Sequence, residues 1–342
     1  MRAAVVNDAK QLEIVEVPDP TPRGDDLVLR VEACGICGSD LKAIDNMPGG
    51  LVMGHEFCGE VVAVGKGAED RWRAGDRVAA LPLIGCGACG PCLSGDVFRC
   101  ERGVDAIGVG GSSGAYAQYV RVGARESFAL PSSLGPGTGA LVEPLAVGLH
   151  AVDRAQLRRG EDVLILGGGP VGMAVALWAR HVGARHIVVS DPVAHRRETC
   201  LALGATEVID PDAGPVAEQF ARVCGRRGPA GADVVFECVG RPGMVQASID
   251  GARVHGRVVI VGVCTKPDPF VPITAVLKEL AMHFVVYYGA ADYAFTIDML
   301  QTERIDPAPF VTDRVGLDAL PGAFEALKHP TTQAKVLVTP SS

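Results

Sequence analysis

Along residues 1–144 short apolar runs alternate with turn residues: 3–6 (AAVV), 27–33 (LVLRVEA), 59–65 (GEVVAVG), 76–81 (DRVAAL) and 115–120 (AYAQYV). Runs of this length, rich in β-branched residues and bounded by Gly and Pro, predict strands of a mostly antiparallel β unit. From residue 145 to 288 the pattern becomes strand and helix in alternation. Residues 162–167 (DVLILG) read as a buried strand, 170–183 (PVGMAVALWARHVG) have helical spacing, and 186–191 (HIVVSD) read as a second strand. A helical stretch at 198–204 and further strands at 231–240 and 256–263 extend the series. Such alternation predicts a parallel, doubly wound sheet. The tail, 289–342, reads as helix, strand, helix and strand (293–303, 310–315, a second helix, 335–340). It is too small to stand alone and is expected to pack on the first unit, giving an α/β chain of two units, 1–144 with 289–342, and 145–288.

At 342 residues the chain is long enough for two cores, and 48% apolar residues is an ordinary globular composition. The net charge of −8 argues against a general affinity for nucleic acid or anionic membranes. Asp8 and Lys10 interrupt the stretch that a signal peptide would keep apolar, and no run is long enough to span a bilayer. A soluble cytoplasmic protein is the expectation. Eleven cysteines, seven of them between 34 and 100, then read as metal binding or catalysis and not as a disulfide framework.

Gly167-Gly168-Gly169-Pro170-Val171-Gly172 fits G-x-G-x-x-G between an apolar strand and an apolar helix. Gly is needed there because the backbone turns tightly and approaches a pyrophosphate at the helix N-terminus. Asp191 ends the next strand, where a carboxylate accepts from the adenosine ribose and repels a 2′-phosphate, favouring NAD. Arg196 and Arg197 follow closely and complicate that choice. The bland alternative is a Gly-rich turn followed by a solvated Asp.

Cys86, Cys89, Cys92 and Cys100 lie in CGACGPCLSGDVFRC, and four thiolates so spaced can wrap one Zn²⁺. An iron–sulfur cluster uses the same ligands. A closed site of four thiolates has no open position, so it is structural. A second set is Cys34-Gly35-Ile36-Cys37-Gly38-Ser39-Asp40, Gly54-His55-Glu56 and Val142-Glu143-Pro144. A catalytic zinc wants three protein ligands and a free position, which Cys37, His55 and either glutamate would supply. Taken singly, each has a plain structural reading.

In this order CGICGSD, GHEFCGEVVAVG, AGDRV, the four-cysteine lobe, EPLAVGLHA and GGGPVG resemble the zinc-containing medium-chain dehydrogenases, the group of alcohol, sorbitol and threonine dehydrogenases. The resemblance spans essentially the whole chain and implies a GroES-like β-rich catalytic domain with an inserted Rossmann domain. It implies Cys37 and His55 as catalytic zinc ligands, with Glu56 or Glu143 as the carboxylate, and a structural zinc on the four-cysteine lobe. It further implies that Ser39 takes the proton of the substrate alcohol. Lys42 stands where many relatives carry a relay histidine. Arg196 is matched to a cation beside the adenosine and Lys335 to one near the pyrophosphate. Val239, with Cys238 and Gly240, and Val261 and Val263, with Gly262, match backbone contacts to ribose and nicotinamide.

The activity so implied is hydride transfer between a secondary alcohol or polyol, or the matching ketone, and NAD, in a homodimer or homotetramer. Dehydrogenation of β-hydroxy amino acids or bulky cyclic alcohols is the alternative, as is a non-catalytic protein retaining the fold. The segment between Asp40 and His55 is shorter than is usual in that group, which predicts a wider substrate cleft.

Overall fold

The computed structural model of the chain describes residues 1–225, 231–329 and 332–340. They form two compact units, Met1–Glu143 with Tyr288–Ser342, and Pro144–Tyr287.

The first unit is built on a seven-stranded sheet. Its strands run in the order Val311–Gly316, Lys335–Thr339, Asp26–Gly35, Glu56–Val64, Arg77–Ala80 and Ser127–Ala129, and Tyr119–Gly123 also pairs with Asp26–Gly35. All pairings are antiparallel except that of Val311–Gly316 with Lys335–Thr339. The ten-residue strand Asp26–Gly35 is nearly continuously buried, because it is paired by three neighbours and covered by a core that includes Leu29, Phe57, Val61, Tyr116 and Phe324. The register decides the site. It sets Gly35 opposite both Glu56 and Leu337, so Cys37, His55 and Lys335 leave the sheet at one place. The tail supplies the Val311–Gly316 and Lys335–Thr339 strands of this sheet.

The second unit is a six-stranded sheet with every pairing parallel. Its strands are β1 (Asp162–Leu166), β2 (His186–Ser190), β3 (Glu207–Ile209), β4 (Ala232–Glu237), β5 (Ala252–Ile260) and β6 (Ala281–Phe284), in the order β3-β2-β1-β4-β5-β6. This is a doubly wound sheet with its topological switch between β1 and β4. β1 is buried throughout, Asp162 included, and its 163–166 run of Val, Leu and Ile suits the inside of a parallel sheet. Helix α1 (Pro170–Val182) follows β1 and ends at Gly183, which holds φ +93°. β3 and β6 have no counterpart among the strands expected from the sequence. Both are short edge strands with an exposed first residue, and they lack the continuous apolar run that marks the inner four.

Candidate active site

The turn after Asp26–Gly35 opens a six-residue helix, Gly38–Ala43, with Cys37 as its N-cap. Asp40 Oδ2 accepts the Cys37 backbone N–H at 3.3 Å, and the Cys37 sulfur accepts from Ser39 N–H at 3.5 Å and from the Ser39 hydroxyl at 3.1 Å. His55 and Glu56 come from the start of the neighbouring strand. Ligand atoms of Cys37, His55 and Glu56 all lie within 4.8 Å of one another, and His55 and Glu56 are buried. Asp40, fully buried, sets its Oδ1 3.1 Å from His55 Nδ1, which leaves the Nε2 face of the ring to the cluster. A carboxylate behind a ligand histidine fixes ring orientation and tautomer at metal sites. Burial pulls the His55 pKa down, but Asp40 and then Cys37 more than reverse this and hold it well above its ordinary value.

Glycine at 35 has a specific cause. A Cβ there would lie 2.1 Å from Glu56 Oε2, so the carboxylate occupies the space a side chain would need. Both Glu56 oxygens accept from the Lys335 ammonium, at 2.7 and 2.6 Å, and its third contact is Ile36 O at 3.1 Å. Burial lowers the Lys335 pKa, yet Glu56, with Cys37 and Glu143, reverses this and the net shift is upward. Lys335, matched by the resemblance to a cation near the pyrophosphate, is thus held here by Glu56 and Ile36. Its side chain is fully buried in the first unit, and Glu56 and Ile36 occupy its ammonium.

The choice between glutamates is also narrowed. Glu56, and not Glu143, falls in the cluster with Cys37 and His55. Glu143 opens the helix Val142–Arg154, is 5% exposed, and accepts the Tyr288 hydroxyl at 2.9 Å. Burial raises its carboxyl to about 7, against the lowering effect of His55. Lys42 lies exposed on the Gly38–Ala43 helix, three residues beyond Ser39. Asp40, Tyr116 and Tyr288 were not singled out from the sequence. Only Asp40 carried a signal, as the last residue of CGSD.

In the lobe around the short helix Gly90–Leu93, the Cys86 and Cys92 sulfurs lie 4.0 Å apart, as do those of Cys89 and Cys100. All four fall within 4.8 Å of one another. A tetrahedron of thiolates around zinc has sulfur–sulfur edges of about 3.8 Å, so this cage fits the ion with a small contraction. Backbone N–H groups of Ala88 and Cys89 hold the Cys86 thiol down to about 6, already favouring the thiolate that a metal needs.

In the second unit the Gly-rich turn lies between β1 and α1. Gly167 holds φ +98°, and a Cβ on Gly172 would lie 1.9 Å from Gly167 O, so helix and strand approach too closely for any side chain. A Cβ on Gly169, at the N-cap of α1, would meet nothing within 4 Å. That open space in front of Pro170, Val171 and the helix N-terminus is the cradle a phosphate would fill. Asp191, after β2, is 4% exposed, and its oxygens accept Gly168 N–H and Val193 N–H at 2.8 Å each. Arg196 Nη1 lies 3.9 Å from the same carboxylate. Arg197 donates to Asp191 O at 2.6 Å and pairs with Asp210 at 3.0 Å. Val239 follows β4, and Val261 and Val263 follow β5. Glu237, missed in the sequence, ties these turns together: its Oε1 accepts Val239 N–H and Gly240 N–H, and its carbonyl accepts Val261 N–H and Gly262 N–H. All these residues lie at the carboxyl ends of the strands, where doubly wound sheets bind dinucleotides.

A Cys/His/Glu donor set, in a chain that also carries such a dinucleotide cradle, defines an oxidoreductase that exchanges hydride between a CH–OH group and a nicotinamide. Residues 23–132 match the alcohol dehydrogenase GroES-like domain and residues 170–302 the zinc-binding dehydrogenase domain. Sorbitol dehydrogenase of Bacillus subtilis (strain 168) is 32% identical over 353 residues, covering 100% of this chain and 98% of that protein. The crystal structure of 2R,3R-butanediol dehydrogenase from Bacillus subtilis superposes with a TM-score of 0.87 at 30% identity, covering 99% of each chain. A chain from Sinorhizobium meliloti 1021, solved bound to NADP, gives 0.88 at 35% identity, again over 99% of each. The chain belongs to the zinc-containing medium-chain dehydrogenases.

Proposed function

We propose that this enzyme oxidises a secondary alcohol or polyol, or reduces the corresponding ketone, with NAD and two zinc ions per chain. The observation that carries the reading is the convergence of Cys37, His55 and Glu56 within 4.8 Å, with Asp40 behind the histidine. Zinc held by these side chains would act as a Lewis acid that makes the alcohol easier to deprotonate. Ser39, whose hydroxyl rests on the Cys37 sulfur at 3.1 Å, accepts the proton of the substrate alcohol. Lys42 lies one helical turn further and exposed, and would carry the proton onward only as its neutral amine. The four-cysteine lobe holds the second zinc and stabilises its loop. The polyol reading is supported by the relatives, which are named for sorbitol and butanediol.

NAD is preferred because a carboxylate after the second strand of such a unit, here Asp191, would accept from the adenosine ribose and repel a 2′-phosphate. Exposed Val276, Leu277 and Phe284, the last on edge strand β6, support self-association into a homodimer or homotetramer. Eleven unbridged cysteines suit the cytoplasm, and among the described residues no helix is long and apolar enough to cross a membrane.

The test is NADH formation from NAD⁺ over polyols, secondary and cyclic alcohols and β-hydroxy amino acids, with NADP⁺ in parallel. Turnover confined to polyols or secondary alcohols and abolished by Cys37→Ala is expected, with two zinc ions per chain by elemental analysis. Silence across the panel, in protein that binds NAD⁺ and both metals, would overturn the catalytic reading.

A further inference from the structure

The reading of Cys37, His55 and Glu56 as a metal centre leads to a residue outside that set. Tyr116 is fully buried, and its hydroxyl donates to Asp40 Oδ2 at 2.5 Å. The same oxygen accepts Cys37 N–H at 3.3 Å, while Oδ1 faces His55 Nδ1 at 3.1 Å. Among the described residues neither of those last two buried atoms has a hydrogen-bond partner, and each has the other at ion-pair distance. One carboxylate thus spans two of the three donors, and the phenol holds it from a third side.

Tyr116 also grips the chain next to His55 directly. Gly54 holds φ +97°, and a Cβ on it would lie 2.5 Å from the Tyr116 ring. The Tyr116 backbone N–H donates to Met53 O at 2.9 Å, and that of Ala115 donates to Gly54 O at 2.9 Å. Ring, hydroxyl and backbone therefore all bear on the segment that delivers the histidine.

We propose that Tyr116 is a positioning residue of the metal centre, acting through Asp40 on His55. A buried carboxylate held on one oxygen by a short O–H···O⁻ bond cannot swing away, so its other oxygen keeps the imidazole in one orientation. The Nδ1–H then points at Asp40 and Nε2 stays available to the cation. The ring alone fills the core and packs on Gly54. The hydroxyl is what acts on the metal site.

Tyr116→Phe separates the two, since it keeps the ring and removes the bond. The protein is loaded with zinc, or with cobalt(II) at the Cys37 site, and three quantities are read. These are the rate of metal loss to a chelator, the visible ligand-field spectrum of bound cobalt, and the thermal midpoint. Metal loss about tenfold or more faster, with a shifted cobalt spectrum and an intact second metal on the four-cysteine lobe, is expected. Asp40→Asn should shift the spectrum in the same way if the tyrosine acts through the carboxylate. Wild-type metal loss and spectrum in Tyr116→Phe would overturn the proposal, as would a lowered midpoint with an unchanged spectrum. Should wild type and Cys37→Ala bind the same number of metal ions, the metal centre itself is misread and the inference falls with it.

Discussion

Lys335→Met removes the cation from an ion pair with almost no access to water: Lys335 is 0% exposed and Glu56 1%. Both Glu56 oxygens lose their ammonium contacts of 2.7 and 2.6 Å, and no solvent reaches them in exchange. Breaking a buried pair by deleting one partner costs about 3–5 kcal/mol, because the charge left behind is uncompensated. With a urea m-value of about 3 kcal/mol/M, the midpoint falls by roughly 1–1.7 M. The chain offers a clean reporter, since its two tryptophans divide between the units: Trp72 in the first and Trp178 in the second, both buried. In a Trp178→Phe background, Trp72 fluorescence follows the unit that contains the pair. Adding Glu56→Gln to Lys335→Met should recover much of the loss, because the orphaned charge is then gone. The comparison is made with and without added zinc. A penalty present only without zinc would mean that the metal takes over the Glu56 charge. A loss below about 1 kcal/mol in both conditions, or no recovery in the double variant, would refute the buried-pair argument.

Three further outcomes follow from the same geometry. Glu143 is raised by burial to about 7 in the fold, so the native state holds its proton more tightly than the unfolded chain. Stability of the metal-stripped protein should therefore fall by about 3 kcal/mol as pH rises from 4.5 through 7, and Glu143→Gln should flatten that slope in denaturant titrations. Cys92→Ser should lower the zinc content by one ion per chain while leaving cobalt at the Cys37 site spectroscopically unchanged; loss of both ions would show that the two sites are not separate. Gly172→Ala, whose new Cβ would lie 1.9 Å from Gly167 O, should weaken NADH binding at least tenfold in a fluorescence titration. Unaltered affinity would mean that strand and helix can part without disturbing the cradle.

The alternation of apolar runs and turn residues determined the two-unit α/β organisation, because inner strands of a parallel sheet carry a continuous apolar run, as residues 163–166 of β1 do. Edge strands carry no such demand, which is why β3 and β6 are silent in the sequence. Donor types and spacing likewise named the four-cysteine cage, whose ligands lie close in the chain, and the Gly-rich turn, whose glycines answer local backbone needs. What the sequence left open were contacts between distant segments. Glu56 and Glu143 both offer a carboxylate, and only the pairing of Asp26–Gly35 with Glu56–Val64 places Glu56 among the donors. Lys335 carries a charge that composition assigns to water and the resemblance to a pyrophosphate. The register of the last strand against Gly35 instead drives it inward onto Glu56, 279 residues away in sequence. Tyr116 reaches Asp40 across 76 residues, and nothing in its local pattern distinguishes it from any aromatic on a buried strand. Local chemistry is written in short spacings, whereas the partners that orient it are fixed by strand register, which exists only once the sheet has formed.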